Sequence, residues 1–105
     1  MAPGKIVRDR IPELIAAEGR KPLVRELCGQ ELLDALCEKL TEEHGEFLAA
    51  GSDGEKLEEL ADMIEVLIAI AEQHGCKEFD LLELVARKRG DRGSFSKGLF
   101  YQGDA

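Results

Sequence analysis

Two consecutive segments carry apolar residues at helical spacing, and this pattern constrains the fold more than any other feature. In the first, over about residues 30–50, the apolar positions cover an arc of about 160° at helical geometry. Those positions are Leu32, Leu33, Leu36, Cys37, Leu40, Phe47 and Leu48. The second, over about residues 52–74, is apolar nearly all round between Met63 and Ala71. Such a helix is expected to lie centrally or against another subunit.

Start and stop signals frame these segments. Ser52 and Glu55 form a capping box at the start of the second helix, and Gly75 follows its end. A short helix is predicted before them, capped by Asp9 and ended by Gly19, and a last one over about residues 78–89.

Four helices in 105 residues predict an all-α, four-helix-type bundle that forms a single domain over residues 1–105. Apolar residues such as Phe95 and Leu99 predict that the first half of the C-terminal tail packs back onto the bundle. A core of this size is too small to bury the apolar second segment fully, so we expect a homodimer or larger homo-oligomer.

Acidic residues interrupt both apolar faces. Glu43 projects into the arc of the first segment, and Glu46 lies at its edge. Glu59 falls inside the arc of the second, and Asp62 follows three residues later at its edge, so both can reach one point. The other acids there form a solvated stripe: Glu58, Glu65 and Glu72.

Carboxylates on buried faces predict a metal site. Burying an unpaired charge costs several kcal/mol or more, and a hard divalent cation lets neighbouring carboxylates stay ionised. Oxygen ligands without a Cys or His pair favour Mg²⁺, with Mn²⁺ as the alternative. A metal held in this way neutralises phosphate charge, so the pattern predicts a metal-dependent enzyme acting on a phosphorylated substrate. The opposing interpretation, acids on a solvated face paired with Lys39, stays open.

Charge and cysteine content exclude several other classes. The net charge of −8 argues against general nucleic-acid binding, which needs a basic surface. Three cysteines without a CxxC pair argue against a zinc site or a disulfide framework and favour a reducing cytoplasm. The longest apolar run, residues 66–71, is far too short to cross a bilayer. We therefore expect a soluble, cytoplasmic protein.

The spacing EExxE followed by ExxD resembles the signature of the MazG-like, all-α NTP pyrophosphatases. The matching residues are Glu42, Glu43, Glu46, Glu59 and Asp62. The opening KIVRDRIPE (residues 5–13) and the ending KRGDRGSF (residues 88–95) resemble short stand-alone members that are phosphoribosyl-ATP pyrophosphohydrolase-like. The resemblance thus covers almost the whole chain.

This resemblance implies a definite chemistry. A nucleoside triphosphate would be hydrolysed between its α- and β-phosphates, giving a monophosphate and pyrophosphate. Mg²⁺ would be held by Glu43, Glu46, Glu59 and Asp62. Glu42 would support the ligands or help to activate the attacking water, and substrates could include non-canonical nucleotides.

Basic residues near both ends of the chain are candidates for binding substrate phosphates, foremost Arg8, Lys88 and Arg92. For the C-terminal ones, the alternative is a favourable interaction with the end of a helix. Two other functions also stay open: phosphoribosyl-ATP hydrolysis in histidine synthesis, and a non-catalytic helical protein that binds nucleotides or oligomerises.

Overall fold

Four helices make up the regular structure of residues 4–105, the part of the chain that the computed structural model describes. They are α1 (Ile11–Ala17), α2 (Gly29–Ala49), α3 (Asp53–Gln73) and α4 (Glu78–Arg92). No strand occurs among these residues, so the all-α prediction is confirmed. Residues 1–3 of the predicted domain lie outside the described part.

The hairpin of α2 and α3 is the centre of the molecule. Only residues 50–52 separate the two helices, so they run antiparallel and pack along their length. The predicted capping box is confirmed in part: the Ser52 hydroxyl accepts a hydrogen bond from the Glu55 amide at 3.2 Å. The Glu55 carboxylate accepts from the Gly51 amide at 3.3 Å. This cap stabilises the start of α3 and fixes the turn.

The end of α3 is as sharp as its start. Gly75 adopts a left-handed backbone with φ of 78°, which glycine tolerates without strain. Its amide donates to the Glu72 carbonyl at 3.1 Å, and the Cys76 amide donates to the Ala71 carbonyl at 3.0 Å. These two bonds form a Schellman motif, so α3 ends where the sequence predicts.

Two of the predicted boundaries are wrong. Arg10, not Asp9, stands at the start of α1, because the turn closes with the Ile11 amide on the Arg8 carbonyl at 3.0 Å. α4 continues past Arg89 to Arg92, since Gly90 weakens a helix without breaking it. It ends at Gly93, whose φ is 82°.

A single chain does not close a four-helix bundle within residues 4–105. α4 packs only on α3, and α1 packs on no other helix. The radius of gyration is 17.7 Å, whereas a compact domain of this length has about 13 Å. The described core is correspondingly small: its buried apolar residues are Leu36, Val66 and Ala71.

Much apolar surface is therefore exposed. Along α3 the exposed apolar residues are Leu57, Leu60, Ile64 and Leu67. The prediction that the tail packs back is wrong, since Phe95 is 98% exposed and Leu99 is 86% exposed. In the described part, no helix is long and apolar enough to cross a membrane.

Candidate metal centre

Glu43 is the central residue of the acidic cluster. It lies on α2 at a position that faces α3, and only 5% of it is exposed. Its Oε1 contacts the Lys39 ammonium at 3.1 Å. Its Oε2 is buried. When the neighbouring carboxylates are ionised, this oxygen accepts no hydrogen bond from residues 4–105. The predicted inward direction of Glu43 is thus confirmed, and its second oxygen needs a partner.

α3 supplies the opposing carboxylates. Glu59 is half-buried, and its Oε2 is likewise buried without a donor in the described residues. Asp62, one turn later, is also half-buried and accepts a hydrogen bond from Arg8 at 2.6 Å. One oxygen from each of Glu43, Glu59 and Asp62 lies within 4.8 Å of the others. The helical spacing i and i+3 on α3 thus brings two ligand oxygens to a third on α2.

Glu42 and Glu46 form a second group that shares Glu43. One oxygen from each of these three residues lies within 4.8 Å of the others. Glu42 is half-buried and contacts Lys39 at 3.5 Å and Lys5 at 3.8 Å, so it lies closer to the centre than its place outside the apolar arc predicts. Glu46 is exposed. All five acids of the predicted set therefore lie in one cluster, with Glu43 common to both groups.

The crowding of carboxylates changes their protonation. Contact with Glu43, then burial and the nearby Glu46, raises the pKa of Glu59 to about 7. Burial also raises the pKa of Glu43, but hydrogen bonds from Lys39 and from Glu59 outweigh it and hold that pKa below its ordinary value. The crowding therefore favours protonation of Glu59 over Glu43 at mildly acidic pH.

Three cations balance the cluster. Burial lowers the pKa of Lys39, but its contacts with Glu43 and Glu42 outweigh burial and raise it. Arg8 and Lys5 reach the cluster from the segment before α1. The interpretation of these acids as a solvated face predicts their pairing with Lys39, and this pairing is observed. One of the two paired carboxylates, that of Glu43, is however buried. The signal that predicts this pairing is the spacing of Lys39, three and four residues before Glu42 and Glu43.

The predicted phosphate-binding residues divide into two sets. Arg8 lies at the acidic cluster. Lys88 and Arg92 are exposed near the C-terminal end of α4 and do not line the cavity beside Glu43. Arg92 instead borders a separate cavity of about 500 Å³ formed with residues 93–99. Of these three predicted residues, Arg8 alone is brought to the carboxylates within one chain.

The donor set fits a hard divalent cation. The candidate ligand atoms are all carboxylate oxygens. Two of the carboxylates, when ionised, have a buried oxygen that accepts no hydrogen bond from the described residues. Such oxygens suit Mg²⁺ or Mn²⁺ better than zinc. The three cysteines are unpaired and belong to neither group of ligand atoms. Glu43, Glu59 and Asp62 are the residues best placed to hold the cation.

A cavity of about 550 Å³ adjoins this cluster. The segment before α1, in particular Ile6 to Asp9, forms one wall, and α2 and α3 form the other two. Glu43, Asp62, Lys39 and Arg8 all border it. Glu65 and Glu72 are exposed as predicted, but they line the same cavity, which the helical pattern of α3 alone does not indicate.

Comparison with known proteins adds one relative. The chain is 50% identical over 54 residues to a Mycolicibacterium smegmatis (strain ATCC 700084 / mc(2)155) protein described as uncharacterized. The match covers 51% of this chain and 55% of that relative, so the chain spans about half of it. No protein-family model matches the chain, and no solved structure matches it significantly.

Proposed function

We propose that the protein is a Mg²⁺-dependent nucleoside triphosphate pyrophosphohydrolase of the MazG-like kind. The observation that carries this proposal is a pair of buried carboxylate oxygens, one on Glu43 of α2 and one on Glu59 of α3, which accept no hydrogen bond from the described residues when both groups are ionised. The spacing of the acids, which resembles that family, supports the same activity.

Each residue of the cluster has a place in this reaction. Glu43, Glu59 and Asp62 would hold Mg²⁺, with Glu46 at the exposed side. When bound, the cation neutralises phosphate charge and orients the water that attacks. Glu42, kept near the centre by Lys39 and Lys5, is available to accept a proton from that water.

The cations of the cluster serve the substrate. Arg8 presents a planar guanidinium that can bind phosphate oxygens in a bidentate manner once Asp62 is engaged by the cation. Water adds to phosphorus as the bond to the bridging oxygen breaks, and pyrophosphate leaves with the electron pair. Positive charge from Arg8 and Lys39 would stabilise this leaving group.

We further propose that the active form is a homo-oligomer located in the cytoplasm. The exposed apolar row on α3 supports assembly, because a monomer rarely leaves such a continuous row in water. The unpaired cysteines support a reducing compartment.

Pyrophosphate release from a panel of nucleoside triphosphates, with and without Mg²⁺, tests the activity. Glu43→Gln and Glu59→Gln should each reduce turnover at least about 100-fold, because each removes a charged ligand. Glu58→Gln, on the exposed stripe of α3, is the matched control and should retain activity. Failure of the folded wild-type protein to release pyrophosphate from every member would refute the proposal. Hydrolysis of phosphoribosyl-ATP alone would move the assignment to that substrate.

A further inference from the structure

The cavity beside the acidic cluster is a groove with two distinct ends. Along α3 its lining residues include Asp62, Val66, Ala69 and Gln73, which share one helical face. The first and the last are eleven positions apart, a distance of roughly 16 Å along the helix. The groove therefore begins at the proposed metal ligands and extends well beyond them.

The middle of the groove is apolar. Leu32 and Leu36 of α2 face Val66 and Ala69 of α3, and Ile6 of the N-terminal segment adds a further apolar side chain. A volume of about 550 Å³ lies within the range of small-molecule sites, which are lined mostly by apolar residues. This part suits a flat ring and a sugar, and it offers nothing to a phosphate.

The far end is polar and acidic. Glu72 and Gln73 border the cavity there, and their side chains make no hydrogen bond or ion pair with the residues that the structure describes. Glu65 also borders the cavity, but it lies one helical turn after Asp62 and therefore belongs to the end that holds the acidic cluster. Arg8 and Lys39 lie at the opposite end, beside Asp62 and Glu43.

This distribution of charge fixes the direction of an elongated anionic ligand. Glu72 repels phosphates from the far end, whereas Arg8, Lys39 and a bound metal would attract them to the other end. A carboxylate at the far end accepts hydrogen bonds and donates none, so it favours a base that carries an amino group. The buried Oε2 of Glu43, which accepts no hydrogen bond from residues 4–105 when the carboxylates are ionised, marks the phosphate end as the place for a cation.

We propose that this groove is the nucleoside-binding part of the site, and that Glu72 with Gln73 selects bases bearing an exocyclic amino group. This inference rests on the proposed pyrophosphohydrolase activity. The N-terminal segment then covers the nucleoside, with Ile6 over the ring and Arg8 at the phosphates.

Cytidine and uridine triphosphates provide the sharpest comparison, because cytosine carries an exocyclic amino group at the position where uracil carries a carbonyl oxygen. The wild-type protein should show a kcat/KM about 10- to 100-fold higher for the cytidine compound, which is the range expected for one well-formed contact to a base edge. Glu72→Gln should remove most of this preference, chiefly through KM, and Glu58→Gln should preserve it. Equal use of both substrates by an active wild-type protein would overturn the inference and leave the proposed activity intact.

A binding measurement separates the two hypotheses further. Titration with cytidine monophosphate in the presence of Mg²⁺ should shift the backbone amide NMR signals of Val66, Ala69 and Gln73, and Glu72→Gln should weaken this binding. Shifts confined to residues 93–99, at the other cavity, would refute the assignment of the groove. Binding in the groove without any hydrolysis would refute the activity instead, while supporting the nucleoside site.

Discussion

Lys39 is predicted to hold the acidic cluster together until a metal binds. Replacing it by Met keeps the length and the apolar stem of the side chain and removes its charge. Lys39 lies 3.1 Å from Glu43 and 3.5 Å from Glu42, and its side chain is 19% exposed. The variant would leave Glu43, which is 5% exposed, without a counter-ion.

The expected cost follows from these contacts. Two unit charges 3.1 Å apart attract by about 5 kcal/mol at an effective dielectric constant of 20, and desolvation of both groups offsets much of this. Removing one partner of a fully buried pair typically costs about 3–5 kcal/mol. Because Glu43 can take up a proton when its partner is lost, we expect Lys39→Met to lower the free energy of unfolding by about 2 kcal/mol. In a domain of this size, that corresponds to a fall in Tm of roughly 10 °C.

Urea unfolding in EDTA, at a fixed protein concentration, measures this cost. Excess Mg²⁺ should restore most of the lost stability, since the cation supplies the missing positive charge. Mg²⁺ should also bind more tightly to the variant, because Lys39 no longer competes for Glu43. Lys21→Met, at an exposed position of the connector between α1 and α2, is the control and should change stability by less than about 0.5 kcal/mol.

Two results would refute the reasoning. The first is a loss below about 0.5 kcal/mol in EDTA, which would mean that Lys39 does not compensate Glu43. The second is weaker Mg²⁺ binding by Lys39→Met, which would mean that the ammonium does not occupy the place of the metal. The double variant Lys39→Met with Glu43→Gln should be nearly as stable as Glu43→Gln alone, because the unpaired charge is absent.

Two further predictions concern pH and assembly. The pKa of Glu59 is raised from 4.5 to about 7, so its stabilising contribution is present below pH 4.5 and is lost as the pH rises through about 7. The Tm in EDTA should therefore fall between pH 5 and pH 8, and Glu59→Gln should flatten this fall; an equal slope in the variant would contradict the assignment. Ile64 lies on the apolar row of α3 and is 53% exposed in one chain. Ile64→Glu should therefore dissociate the proposed oligomer, as measured by light scattering. Leu23→Glu, in the connector where Leu23 is 94% exposed, is the control and should leave the mass unchanged. An unchanged mass for Ile64→Glu would exclude this face from the interface.

Local signals in the sequence predict much of the hairpin. The Ser52 cap, Gly75 and the helical spacing of apolar residues set the bounds of α2 and α3 to within one or two residues. The same spacing places Glu43 and Glu59 on facing surfaces, because the direction of a helical side chain depends on its position alone.

Long-range contacts could not be predicted in this way. The segment around Arg8 lies against α2 and α3 without regular structure, so no periodic pattern indicates where it docks. For this reason Glu65 and Glu72 look merely solvated in the sequence, although they border a cavity. The tail fails for a related reason: the apolar Phe95 indicates a need for burial but not which surface provides it.

The three-residue connection between α2 and α3 has a consequence for how the acidic cluster arises during folding. Glu43 and Glu59 are only sixteen positions apart in the chain, so bringing them together closes a short loop at little entropic cost. Contacts of such low sequence separation form rapidly. The carboxylates can therefore meet as soon as one helical hairpin has formed, before the N-terminal segment docks, and the earliest folded species would already be competent to capture a cation.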